Sequence, residues 1–255
     1  MSGVVGVCMV RDEVDIIGLS VAHHLGECDA VLVIDNGSRD GTSEVLEKLG
    51  SIRMVCIRDE RTAFDEMGLL TSLQELAAVV FYGADWIVPF DADEFWYARS
   101  GRPLREVLPE LGVDGCTATV FEHVARAGDP AVILDWRRAE PWAWPKSCLR
   151  RGHRLSLSVG HHELQGPGKV DREALMVRHL PWRSLTQMRA RVHRNSTQER
   201  AGAHAEMFRS VDSGYRDLDA LPDDALEAVW LSMCAPEGLV HDPVPLRCPR
   251  PAWAP

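Results

Sequence analysis

Four short apolar runs, at 4–10, 30–34, 52–57 and 86–90, punctuate the first part of the chain, and helical or turn-rich stretches separate them. The first reads Val4-Val5-Gly6-Val7-Cys8-Met9-Val10 and the second Ala30-Val31-Leu32-Val33-Ile34. Neither alternates apolar with polar residues, so neither suits a strand with one wet face. Runs that are apolar at successive positions belong to strands covered on both sides. Between them, 16–25 has apolar residues at helical spacing, 42–49 reads as a helix with Thr42 as N-cap, and 69–81 reads as a long helix. Strand–helix–strand repetition at this interval requires right-handed crossovers. It predicts an α/β fold: a Rossmann-like, mostly parallel sheet flanked by helices.

After about residue 115 the pattern changes to a mixed α+β half. Segments 116–121, 131–136, 154–159 and 175–180 read as strands, and 142–146 as a loop carrying Trp142 and Trp144. Segment 184–195 reads as a helix whose Arg189, Arg191 and Arg194 suit a solvated basic face. These readings give a single domain over 1–232, with halves 1–115 and 116–232, and a Pro-rich tail at 233–255. A net charge of −10 without a long basic run excludes nucleic acid as the expected partner. Seven cysteines stand singly with no Cys-x-x-Cys pair, as in a reducing cytoplasm. No run of 18 apolar residues occurs, and no charged segment leads into an apolar core at the start. The expectation is a cytoplasmic protein with no signal peptide and no membrane span.

In open α/β sheets ligands bind beyond the carboxyl ends of the strands. Four polar clusters fall there: Arg11-Asp12-Glu13, Asp35-Asn36-Gly37-Ser38, Arg58-Asp59-Glu60-Arg61 and Asp91-Ala92-Asp93-Glu94. In extended chain Asp91 and Asp93 point the same way, so both can face one ion. Three acids within four positions repel one another and call for a cation. A hard divalent ion with oxygen ligands, Mg²⁺ or Mn²⁺, answers that need. The competing reading is an acidic strand end or a helix N-terminus. After the second strand, the glycines let backbone approach a ligand, and Asp35 offers acceptors to a base or ribose.

Taken together, Val10-Arg11-Asp12-Glu13-Val14-Asp15-Ile16, Ile34-Asp35-Asn36-Gly37-Ser38-Arg39-Asp40-Gly41-Thr42 and Phe90-Asp91-Ala92-Asp93-Glu94-Phe95 resemble the family 2-like glycosyltransferases of the GT-A fold. The resemblance is to the branch with Asn-Glu after the first strand and an Asp-Ala-Asp-Glu-Phe metal motif. It covers roughly the first hundred residues. A weaker echo follows in Lys146, His161-His162 and Arg178-His179-Leu180-Pro181-Trp182-Arg183-Ser184. Asp12 stands where the branch has Asn, and Leu180 where it has an aromatic residue.

The resemblance implies a nucleotide-sugar donor whose base or ribose meets Asp35. Arg11, Glu13, Arg61, Asp91 and Lys146 would line the same pocket. Asp91 and Asp93 would bind Mn²⁺ or Mg²⁺ on the diphosphate, with His179 as a further ligand. Glycosyl transfer has to stabilise a leaving diphosphate, and a metal with Lys or Arg does so electrostatically. Inversion, which the branch implies, also needs a base for the acceptor hydroxyl. Glu163 and then His162 are the first candidates, with His161 and Glu94 behind them. The expected acceptor is a small molecule or saccharide. Trp136, Trp142 and Trp144 suit either a sugar-stacking face or a core.

Two other classes compete. A nucleotidyltransferase would favour a Gly- and Lys-rich loop after the first strand, which Arg11-Asp12-Glu13 is not. A non-catalytic nucleotide-sugar-binding protein is disfavoured by the presence of both Asp91 and Asp93. A strand-end acid packs little core, so Asp93→Ala is expected to spare the fold.

Overall fold

The computed structural model describes residues 3–60, 66–126, 135–197, 209–235 and 237–247. Its first half runs β1 (Gly3–Val10), α1 (Ile17–Glu27), β2 (Ala30–Asp35), α2 (Thr42–Leu49), β3 (Met54–Arg58), α3 (Glu66–Val80) and β4 (Ala84–Phe90). The four strands lie in the order β3-β2-β1-β4, every pairing parallel. Successive side chains of a strand point to opposite faces. Val4, Cys8, Val31 and Val33 therefore pack with Ile16, Ile17 and Val21 near α1, whereas Val5, Val7, Leu32 and Ile34 pack with Leu73 and Ala77 of α3. Each such side chain contributes about 1.5–3 kcal/mol on full burial, and only a sheet covered on both faces collects that from every position.

The second half holds β5 (Glu94–Ala98), α4 (Leu104–Val107), β6 (Gly115–Glu122), β7 (Trp136–Arg138), β8 (Lys146–Arg150), β9 (Ser156–Leu157), β10 (Leu164–Gln165), β11 (Val170–Asp171) and β12 (Leu175–His179). It ends with α5 (Leu185–Thr197), α6 (Arg209–Asp219), α7 (Asp223–Met233) and β13 (Leu239–His241). The sheet continues from β4 as β8-β6-β12-β5. Strand β8 is antiparallel to both β4 and β6, β12 is parallel to β6, and β5 is antiparallel to β12.

Four strand spacings separate β4 from β5 in that order, roughly 19 Å in a flat sheet. The chain crosses from Phe90 to Glu94 in four Cα steps, at most about 15 Å, and it turns on the way, since Glu94 N donates to Asp91 O at 3.0 Å. The mainly parallel sheet therefore curls, and β5 comes to lie beside α1, where His23 Nε2 donates to Trp96 O at 2.9 Å.

Several elements differ from the sequence expectations. Ile52, expected in a strand, is fully exposed in the turn before β3. Gly41 rather than Thr42 occupies the N-cap of α2 at φ 104°, and the Asp40 carboxylate accepts from Thr42 N at 2.9 Å. Segment 131–134 lies outside the described residues, and the adjacent strand β7 starts at Trp136. The expected loop at 142–146 leads directly into β8, which begins at Lys146. Within the expected strand 154–159 only Ser156–Leu157 is extended. Strand β5 and helices α6 and α7 have no counterpart among the sequence expectations. No helix among the described residues is long and apolar enough to cross a membrane.

Helix α1 buries two imidazoles completely, His23 and His24. His24 stacks on Phe90, ring centroids 3.6 Å apart, and so supports the strand end that presents Asp91. Burial pushes His24 from its ordinary 6.5 down to about 4 and lowers His23 as well. The folded protein keeps these rings neutral while the unfolded chain takes up protons, so stability should fall as pH drops from 6.5 towards 4. His24 alone accounts for on the order of 2 kcal/mol at pH 5. Urea unfolding should show a lower midpoint at pH 5 than at pH 7, and His24→Phe should shrink that difference. An unchanged pH dependence in the variant contradicts the assignment.

Candidate active site at the carboxyl ends of the strands

The loops after β1 and β2 are tied to each other before any ligand arrives. Asp12 sits at φ 52°, a left-handed conformation unusual for a residue other than glycine. Three bonds hold it there: Asp12 N donates to Ser38 Oγ (3.0 Å), Arg39 N to Asp12 Oδ1 (2.7 Å), and Arg194 Nη1 to Asp12 O (2.7 Å). Asp35 is buried beneath the second loop, where Oδ1 accepts from Ser38 N at 2.9 Å and Oδ2 accepts from Ser43 Oγ. Its carboxylate thus shapes the loop.

Beyond β4 the acids divide between two cationic groups. The segment from Asp91 to Asp93 turns instead of continuing extended, so the two aspartates do not share a strand face. Asp93, with a side chain 5% exposed, meets Arg191 Nη1 at 2.6 Å and His179 Nε2 at 3.6 Å. Burial alone would raise its carboxyl pKa, but Arg191, His179 and Arg183 hold it well below the usual range. Burial likewise tends to lower His179, and Asp93 more than reverses that, so His179 ends raised. Arg183 is itself buried: it donates to Glu13 Oε2 at 2.6 Å and to both oxygens of Asp15 at 2.8 and 2.9 Å. Arg194 reaches Glu13 Oε1 at 3.0 Å.

On the other side, Lys146 Nζ lies 2.9 Å from Asp91 Oδ2, 2.7 Å from Glu94 Oε1 and 3.1 Å from His161 Nε2. Glu94 is fully buried, yet Lys146 and His161 overcome the upward push of burial and keep it well below the usual carboxyl range. Asp91, Glu94 and His161 form a group whose ligand atoms all lie within 4.8 Å of one another, close enough for one ion. The Asp91 side chain is 48% exposed and opens on a cleft of about 190 Å³ that Arg11, Glu13, Asp93, Arg191 and Arg194 also line.

Of the remaining sequence candidates, Glu163 and His162 are not among the residues that line this cleft. Arg61 lies outside the described residues. Glu163 is exposed, and its backbone N–H donates to Ser158 Oγ at 2.9 Å. His162 is half-buried, donates from Nδ1 to Pro145 O at 2.9 Å, and lies 5.8 Å from the rings of both Trp142 and Trp144. Burial, and then the nearby Lys146, pushes it down to about 4, so it is neutral at pH 7. Arg183, Arg191 and Arg194 were not among the site candidates. The signal was present for two of them. Arg191 and Arg194 are three residues apart on one helix face, and Arg191 adjoins the buried Met188 at the same spacing.

No protein-family model and no curated protein matches the chain. Among solved structures, the chain is similar to S. aureus TarS 1–349 in complex with UDP, at 11% identity and a TM-score of 0.42, over 79% of this chain and 68% of that one. The TarS complex with UDP-GlcNAc gives 11% identity and a TM-score of 0.42 over 84% and 72%. Mannosyltransferase PcManGT from Pyrobaculum calidifontis, in complex with GDP-Man and Mn²⁺, gives 16% identity and a TM-score of 0.41 over 91% and 83%. At such TM-scores the likeness carries no inference about activity, which has to come from the residues above.

Breaking a buried ion pair costs more than the pair is worth, because the partner is left charged without compensation. Arg183→Ala leaves Glu13 and Asp15 facing each other, and should cost about 3–5 kcal/mol in urea unfolding. Arg183→Lys should recover only part of this, since an ammonium cannot make the fork to Asp15. Asp93→Ala, expected from the sequence to spare the fold, instead strands Arg191 beside His179 and should lower stability as well. A loss below about 1 kcal/mol for Arg183→Ala means the network is not holding the loops.

Proposed function

We propose that the protein is a metal-dependent glycosyltransferase, moving a sugar from a nucleotide diphosphate sugar to a hydroxyl acceptor with inversion. One observation carries the reading. The cleft beyond β1 and β4 is lined by Asp91, one member of a group able to hold a hard cation, together with Arg11, Arg191 and Arg194. A nucleoside diphosphate uses both, since its oxygens accept charge-assisted bonds from Arg and bridge to a divalent ion.

The donor atoms of Asp91, Glu94 and His161, two carboxylates and an imidazole, fit Mn²⁺, and the carboxylates also fit Mg²⁺. Asp91 is the member that faces the cleft and the one shared with the ligand set Asp91, Asp93 and His179 drawn from the sequence. When bound, the ion would stabilise the negative charge that grows on the departing diphosphate. Asp93 lines the same cleft and fixes Arg191 there, with His179 Nε2 3.6 Å from its carboxylate. Arg11 and Glu13 line the donor pocket, and Asp35 sets the loop that would receive the base or ribose. For the acceptor, His162 supports a base role better than Glu163. It lies beside two tryptophan rings whose faces suit a sugar.

The test is release of nucleoside diphosphate from a panel of UDP- and GDP-sugars, with Mn²⁺ or Mg²⁺ and a set of hydroxyl acceptors. Release should require the metal and stop with a chelator. Asp91→Asn should reduce it at least about a hundredfold while the melting temperature stays close to wild type, because Asp91 is half exposed. Absence of release with every donor and metal disproves the activity.

A further inference from the structure

We infer that the Lys146 ammonium is the resident occupant of the Asp91–Glu94–His161 metal group, and that a divalent ion enters only by displacing it. The rationale is geometric. Nζ stands 2.7–3.1 Å from one atom of each of the three residues, and those residues bring their ligand atoms within 4.8 Å of one another. A point in contact with all three is also where an ion would sit. Nζ donates to Asp91 Oδ2, meets Glu94 Oε1 as an ion pair, and lies within hydrogen-bond reach of His161 Nε2, which in the tautomer that accepts from Lys146 takes the role a metal ligand needs.

The charges make the exchange specific. Two carboxylates and one ammonium leave the group at −1. A divalent ion in place of the ammonium brings it to zero, whereas both cations together would give +1 in a buried space. Ion and ammonium repel strongly at such a separation away from bulk water. Lys146 has room to respond, because its ammonium is a point charge on a flexible four-carbon stem. One of its partners, Asp91, opens on the cleft.

The displaced ammonium then meets the diphosphate, a consequence that rests on the glycosyl-transfer reading. Ion and nucleoside diphosphate should accordingly bind with positive cooperativity: the ion expels Lys146, and the phosphate oxygens accept it.

Mn²⁺ binding, followed by electron paramagnetic resonance without any nucleotide, tests the exchange directly. Lys146→Met, which keeps the stem and removes the charge, should bind Mn²⁺ roughly tenfold or more tightly than wild type. Lys146→Arg should show no gain. Equal or weaker binding by Lys146→Met overturns the inference. Because that change leaves Glu94 buried beside Asp91, Lys146→Gln supplies a second variant whose amide can still bond to them, and it should also bind Mn²⁺ more tightly. Thermal melts in chelator and in Mn²⁺ complete the set. Both variants should melt lower than wild type in chelator and regain more of that loss with Mn²⁺ than wild type gains, and no such recovery counts against the exchange. With saturating UDP or GDP, wild-type Mn²⁺ affinity should rise, and the rise should shrink in Lys146→Met. If neither nucleotide binds, the donor reading fails while the Mn²⁺-alone comparison still decides the role of Lys146.

Discussion

Three residues, Asp91-Ala92-Asp93, join two strands that occupy distant places in the same sheet. A link of that length cannot bridge a flat sheet, so the sheet has to curl, and the curl sets the geometry of everything above it. It brings β5 against α1, where Ser20 and His23 bond its backbone at Glu94 and Trp96. It also leaves the linking turn at the meeting point of β1, β8 and β12, with acids concentrated where cations from each neighbour can reach them.

Those acids dictate the rest of the site. Placed together in a poorly solvated space, carboxylates are tolerated only when paired and hydrogen-bonded. The pairs come from distant parts of the chain: Lys146 opens β8, Arg183 follows β12, and Arg191 and Arg194 project from α5. The second half of the chain thus neutralises the first. A buried ion pair is a weak source of net stability, yet it is demanding about geometry. Here it fixes where α5 rests on the loops after β1 and β4, and so defines the walls of the cleft. Each acid is spoken for, but Asp91 keeps half its side chain exposed and is the carboxylate a ligand can reach.

Much of the first half was legible because apolar side chains at every position admit few solutions. Val4 to Val10 and Ala30 to Ile34 had to be strands covered on both faces, and the helices between them had to supply the cover. Failures came where local pattern and tertiary need diverge. Ile52 looks like a strand residue but stands in solvent, since β3 is an edge strand that begins two residues later. Strand β5 hid inside an acidic motif, although Phe95, Trp96, Tyr97 and Ala98 are all buried. Its partner β12 lies some eighty residues away, and no local period reveals such a pairing. The arginines of α5 read as a solvated face because basic residues on helices usually are one. The three-residue spacing puts Arg191 and Arg194 on one face, but that Asp93 and Glu13 wait opposite that face cannot be read from the helix itself.

By itself, the sequence determined the parallel core, the rim on which polar residues gather, and the presence of an acidic cluster at the end of β4, because burial of contiguous apolar runs and strand polarity are properties of the chain alone. Only the tertiary structure decided how the cluster is divided. In an extended strand, Asp91 and Asp93 would have faced one ion together. The turn that the curled sheet imposes sends Asp93 to Arg191 and His179, and leaves Asp91 with Glu94, His161 and Lys146. Which carboxylate meets which cation depends on distances of a few ångströms between segments remote in sequence, and only folding sets those.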